Sequence, residues 1–96
     1  VMLAAGLQGM EKKYKLPDPV EEDIYEMDEK ARAKAAIVSL PGSLHEAIQL
    51  VEKSSLVKET LGEHIFRKFI ENKKLEWDRF RTHVSRFEIE RYLPLL

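Results

Sequence analysis

The sequence predicts an all-α chain of about five helices interrupted by one irregular acidic loop. Three observations carry this expectation. Phe66, Phe69, Ile70, Lys73, Trp77, Phe80 and Val84 recur at the 3.6-residue period of an amphipathic helix. Ser43 and Glu46, and again Ser85 and Glu88, stand at capping-box spacing before apolar periodic stretches. No stretch alternates apolar and polar residues with period two over a useful length, so no substantial sheet is expected.

Residues 1–14 read as a first helix, because Met2, Leu3, Leu7, Met10 and Tyr14 share one stripe. Gly6 and Gly9 weaken it by about 1 kcal/mol each relative to alanine. Small residues at such positions point to a second backbone passing close by, and no obvious partner lies within the chain. Pro17 and Pro19 then end the helix and extend the backbone. Residues 15–42 read as a loop with one short helix. Between positions 18 and 29 the loop carries Asp18, Glu21, Glu22, Asp23, Glu26, Asp28 and Glu29 without a single Lys or Arg. Ile24, Tyr25 and Met27 are its only large apolar groups there besides Val20. Asp28 is placed to cap a short helix running to Ala36, and Ile37–Leu40 could extend before Pro41 and Gly42.

Residues 43–84 read as three further helices. The first starts after Ser43, turns Leu44, Ala47, Ile48 and Val51 to one face, and ends near Ser54 and Ser55. A short one follows around 56–61 and is interrupted by Gly62. The strongest runs over 63–84. Ser85 then opens a terminal helix over 85–96 that Pro94 stops.

At 96 residues the chain is long enough for one domain and too short for a second core. A composition of 44% hydrophobic and 34% charged residues suits exposed helices, or a piece whose apolar surface is completed by a larger protein. With 16 basic against 17 acidic residues, long-range attraction to nucleic acid or an anionic membrane is not expected. There is no cysteine, which excludes disulfides and thiolate metal sites and is compatible with a reducing cytosol. No run approaches the roughly 18 apolar residues of a membrane span, and the N-terminus lacks the features of a signal peptide. A chain beginning at Val1, inside a helix, reads as an excised piece.

No active site emerges from the residues. His45, His64 and His83 lack the spacing of a helical zinc site and read as surface or capping histidines. The four glycines are scattered and form no phosphate loop. Ser43 and Ser85 fit helix caps rather than nucleophiles, since neither has a local base. The basic residues of 63–84 (Arg67, Lys68, Lys73, Lys74, Arg79, Arg81) are interleaved with Glu63, Glu71, Glu76 and Asp78. That pattern is a solvated, ion-paired face rather than a nucleic-acid surface. Two features remain. Tyr25, ringed by carboxylates in a Pro-bounded loop, is placed to meet another protein. Phe87, Ile89, Tyr92, Leu93, Leu95 and Leu96 are too apolar for a tail left in water and must bury against something. On residues alone the tail would fold back on its own domain, as most terminal helices do, or the chain would be an independent helical interaction module whose apolar terminal helix docks on a partner.

The order of residues over 19–48, from Ile24-Tyr25 through the Ala-rich helix to Leu40-Pro41-Gly42-Ser43-Leu44, resembles the C-terminal region of bacterial and archaeal type I glutamine synthetase. Met2-Leu3-Ala4-Ala5-Gly6-Leu7, Leu61-Gly62-Glu63-His64-Ile65 and Glu88-Ile89-Glu90-Arg91-Tyr92-Leu93 resemble other helices of that family. The resemblance covers nearly the whole chain. It implies a parent with an α+β catalytic domain, assembled as two stacked hexameric rings in the cytoplasm. Such a parent makes glutamine from glutamate, ammonia and ATP through a γ-glutamyl phosphate, with magnesium or manganese ions. The family's metal-binding carboxylates and substrate-binding arginines lie upstream and match no position here. The resemblance therefore implies no catalytic, cofactor-binding or metal residue in this chain, and an inactive fragment on its own. Tyr25 stands where some members accept an adenylyl group. Here Glu26-Met27-Asp28 follow it, where the modified branch has Asp-Leu-Pro-Pro. The chain is closer to the branch controlled by feedback inhibition and nitrogen-regulatory proteins. In the family the terminal helix reaches a subunit of the opposite ring, which would give residues 87–96 an intersubunit role.

Overall fold

The computed structural model describes all residues from Val1 to Leu96. It is all-helical and without strands, as the periodicity predicts, with six α-helices and a terminal 3₁₀ turn. The helices fall into two compact units, Val1–Gly42 and Ser43–Leu96.

The first unit contains α1 (Met2–Lys12) and α2 (Glu29–Lys34). Helix α1 stops two residues before Tyr14 because Lys13 turns into the left-handed region (φ 50°, ψ 49°). Its N–H donates to the Met10 carbonyl at 3.3 Å and that of Tyr14 to the Gly9 carbonyl at 3.1 Å. This pair of bonds is a Schellman motif, which satisfies carbonyls the helix would otherwise leave open. The stripe of Met2, Leu3, Leu7 and Met10 is exposed throughout, and a Cβ added to Gly6 would meet nothing within 4 Å. Asp28 caps α2 as expected, its carboxylate accepting the Ala31 amide at 2.7 Å. That helix ends in a second Schellman pair around Ala36 (φ 56°), with Ile37 N–H donating to the Arg32 carbonyl at 2.9 Å.

The second unit contains α3 (Leu44–Glu52), α4 (Ser55–Leu61), α5 (Glu63–Arg81), α6 (Arg86–Tyr92) and the 3₁₀ turn Leu93–Leu95. Helices α3 and α4 both pack on α5. Ser43 and Ser54 cap α3 and α4 by accepting the amides of Glu46 at 3.2 Å and Val57 at 3.3 Å. Gly62 (φ 78°, ψ 155°) ends α4 and begins α5 in a conformation essentially reserved for glycine. Its N–H donates to the Lys58 carbonyl and its own carbonyl accepts Phe66 N–H, each at 2.9 Å. The buried core is Ile48, Phe66 and Ile70, enclosed by Leu44, Val51, Val57, Leu61 and Trp77.

Two expectations for the long helix need correction. It ends at Arg81, not Val84. The Thr82 hydroxyl donates to the carbonyls of Asp78 (2.9 Å) and Arg79 (3.2 Å), closing the last turn. Ser85 then adopts the extended backbone that a new N-cap requires. The buried stripe is also shorter than the periodicity suggests: Phe69, Phe80 and Val84 are 42%, 68% and 63% exposed. Helix α3 begins level with Trp77, where His45 stacks on the indole, so it leaves Phe80 uncovered.

Candidate functional site

Tyr25 stands at the tip of a turn. Glu26 N–H donates to the Asp23 carbonyl at 3.2 Å and Met27 N–H to the Ile24 carbonyl at 3.3 Å. The Asp23 carboxylate accepts the amide of Tyr25 itself at 2.9 Å. The side chain does not fold back over the loop, since Tyr25 is 90% exposed. Behind it, Arg32 donates from Nε (3.1 Å) and Nη2 (2.8 Å) to the Met27 carbonyl. The sequence reading passes over Arg32. The signal available for it is positional: helical side chains lean toward the N-terminus, which aims a long residue in the first turns of α2 back at the segment before the cap.

The terminal apolar residues divide. Ile89, Tyr92, Leu93 and Leu96, together with Val84, line one open apolar groove of about 270 Å³ against α6 and the 3₁₀ turn. Phe87 lies apart, under the Arg91 guanidinium with 6.0 Å from its carbon to the ring centroid. Leu95 is outside the groove and largely exposed. Helix α6 is held at its start by a complete capping box. The Ser85 hydroxyl accepts Glu88 N–H, and Ser85 N–H and hydroxyl both donate to the Glu88 carboxylate at 2.7 Å. These bonds, the backbone one first, hold the Glu88 carboxyl below the usual carboxylate range.

Four of the six basic residues of α5 are engaged by carboxylates. Lys68 pairs with Glu71, Lys73 with Glu76, Arg81 with Asp78 and Lys74 with Glu52 of α3. The hydrogen bond from Lys68 holds the Glu71 carboxyl down as well. Between α3 and α5 lies a groove of about 550 Å³ lined by His45, Gln49, Glu52, Lys74, Trp77 and Arg81, among others. Its charges are of both signs and pair with one another, so it presents no concentrated field to a ligand. His45, His64 and His83 are all exposed, and no three His, Asp or Glu side chains are grouped so as to hold a metal ion.

The local geometry thus offers an exposed tyrosine turn, an apolar terminal groove and an ion-paired helix. A family description, glutamine synthetase catalytic domain, matches residues 1–92. The chain belongs to the glutamine synthetase family. The glutamine synthetase of Thermotoga maritima is 47% identical over 94 residues, which cover 98% of this chain and 21% of that protein. Its counterpart in Thermus thermophilus is 42% identical over 93 residues, covering 97% of the chain and 21% of the relative. One from Staphylococcus aureus is 40% identical over 92 residues, covering 96% and 21%. The chain therefore spans about a fifth of the length of the curated relatives it matches. No helix is long and apolar enough to cross a membrane.

Proposed function

We propose that this chain is the C-terminal helical portion of a glutamine synthetase subunit, structural and regulatory in role and inactive alone. The complete protein would join ammonia to glutamate. A glutamate carboxylate oxygen attacks the γ-phosphorus of ATP and ADP departs; ammonia then displaces phosphate from the γ-glutamyl phosphate. The observation that carries the reading is the match of residues 1–92 to the family's catalytic domain. The family's chemistry uses magnesium or manganese to neutralise phosphoryl charge. In the complete protein those ions and ATP would be held by residues outside this chain.

Two surfaces would serve the parent. Of the apolar residues of 87–96, those lining the groove (Ile89, Tyr92, Leu93 and Leu96) would dock on a neighbouring subunit of a cytoplasmic double hexameric ring, which accounts for their exposure in the single chain. The Tyr25 turn would be a recognition segment for nitrogen-regulatory proteins or for an adenylylating enzyme. Full exposure of the phenol favours recognition, whereas Glu26-Met27-Asp28 favours regulation without covalent modification. The test is expression of the full-length coding sequence. Glutamine formation should require glutamate, ammonia and ATP together, and the 96-residue chain should show none. A full-length protein inactive with all three substrates overturns the proposal.

A further inference from the structure

We infer that Arg32 is a positioning residue for Tyr25: its guanidinium latches the turn that displays the phenol to helix α2. The inference rests on reading that turn as a recognition segment. The turn itself is weakly built. Its two backbone bonds are 3.2 and 3.3 Å long, and the Asp23 bond at 2.9 Å ties the turn only to itself. Seven carboxylates crowd positions 18–29 with no cation among them, so mutual repulsion favours an open, extended loop. What connects the turn to regular structure is the fork from Arg32 Nε and Nη2 onto the Met27 carbonyl. Met27 and Arg32 are both partly buried, in contrast to the exposed residues on either side of Met27.

The choice of acceptor is informative. With Asp28 and Glu29 four and three residues before it in the chain, Arg32 engages a neutral backbone carbonyl instead. Two donors of one rigid fork converge on one oxygen, which fixes a direction as well as a distance. Asp28 contributes the second half of the latch, because its capping bond to Ala31 at 2.7 Å fixes where α2 begins and hence where Arg32 stands. A turn held this way meets a partner already ordered, so less conformational entropy is lost on recognition.

Hydrogen exchange on the full-length protein tests the latch, comparing Arg32→Ala and Arg32→Lys with the wild type. Alanine is the better helix former, so α2 is not weakened by the first change. Arg32→Ala should accelerate exchange of the 25–27 amides by about tenfold, the effect of losing a charge-assisted bond. Cleavage after Glu26 by a glutamate-specific protease should rise in parallel, and the amides of α5 should not change. Arg32→Lys, with one point donor in place of a fork, should fall between the two. Unchanged exchange at 25–27 in Arg32→Ala overturns the inference, as does equal acceleration within 29–34, which would make Arg32 a helix-stabilising residue only. Binding of a regulator or adenylylating enzyme to Tyr25→Phe is scored separately. If Arg32→Ala frees the turn while Tyr25→Phe changes no such binding, the latch stands and the recognition reading falls.

Discussion

The imidazole of His45 lies against the indole of Trp77, ring centroids 5.7 Å apart and planes 25° from parallel. The contact joins the first turn of α3 to the later half of α5, and Gln49 one turn on bonds the same imidazole at 3.0 Å. Below it the core has just three buried side chains, so a stacked pair at its margin matters more than it would over a large core. Trp77→Ala is expected to destabilise the second unit by about 2 kcal/mol, below the range for fully buried tryptophan because Trp77 keeps partial exposure. His45→Ala should cost about 0.5–1 kcal/mol, the worth of an aromatic pair. Trp77 is the chain's only tryptophan, so in His45→Ala a red shift of its emission would report the opened contact. Denaturant unfolding followed by circular dichroism measures both costs, and a Trp77→Ala change under 0.5 kcal/mol would refute the margin role.

Two glycine-to-alanine changes should act with opposite sign. At Gly62 a Cβ would meet nothing within 4 Å, so any cost is torsional, from φ 78° and ψ 155°. Gly62→Ala should destabilise the α4–α5 junction by about 1–3 kcal/mol. Gly6 sits inside α1 and also faces open space. Gly6→Ala should raise helicity of the isolated chain by up to about 1 kcal/mol. In the full-length protein the Gly6 change should instead destabilise, if another backbone passes against it. Melting temperatures of the two forms decide between these outcomes.

Local signals were readable in the sequence where one residue's chemistry determines the structure. Asp28, Ser43 and Ser85 each cap the helix assigned to them, because a short oxygen side chain before an apolar period has few other uses. Gly62 breaks the chain between α4 and α5 for an equally local reason. What could not be read was the extent of cover. Phe66 and Phe80 occupy equivalent places in the apolar period of α5, yet one is buried and the other exposed, since periodicity does not say where the opposing helix stops. The end of α5 turned on the Thr82 hydroxyl, whose bonds to two carbonyls have no signature in spacing. Tyr25 was found as a candidate and Arg32 was not, because a single arginine after an acidic run looks like ordinary charge balance.

Acid should loosen α6 at its first turn. The Glu88 carboxyl is held below the usual range by the Ser85 amide and hydroxyl, so its folded value lies below its unfolded one. The stabilisation is complete above the ordinary glutamate value of about 4.3 and is lost as pH falls through the lower folded value. Lowering the pH from 7 to 3 should leave the Ser85 amide protected until below about 4.3 and then speed its exchange. Glu88→Gln should flatten that dependence, because the amide oxygen accepts without titrating. A Ser85 amide whose exchange already changes between pH 7 and 5, after correction for the intrinsic rate, would contradict the assignment.

The terminal groove makes the sharpest prediction for assembly. Ile89, Leu93 and Leu96 converge on one side of α6 with Tyr92, whereas Leu95 stands away from them. If the groove docks on a neighbouring subunit, a charge placed on it must be desolvated at the interface, and one placed on Leu95 need not be. Leu93→Asp or Ile89→Asp in the full-length protein should therefore shift the sedimentation profile from the wild-type assembly to smaller species. Leu95→Asp should leave the profile near wild type. Phe87 sits under Arg91 rather than in the groove, so Phe87→Ala should loosen α6 modestly without dissociating the assembly. A wild-type sedimentation profile in both groove variants would mean that the apolar residues of 87–96 are covered from within their own subunit.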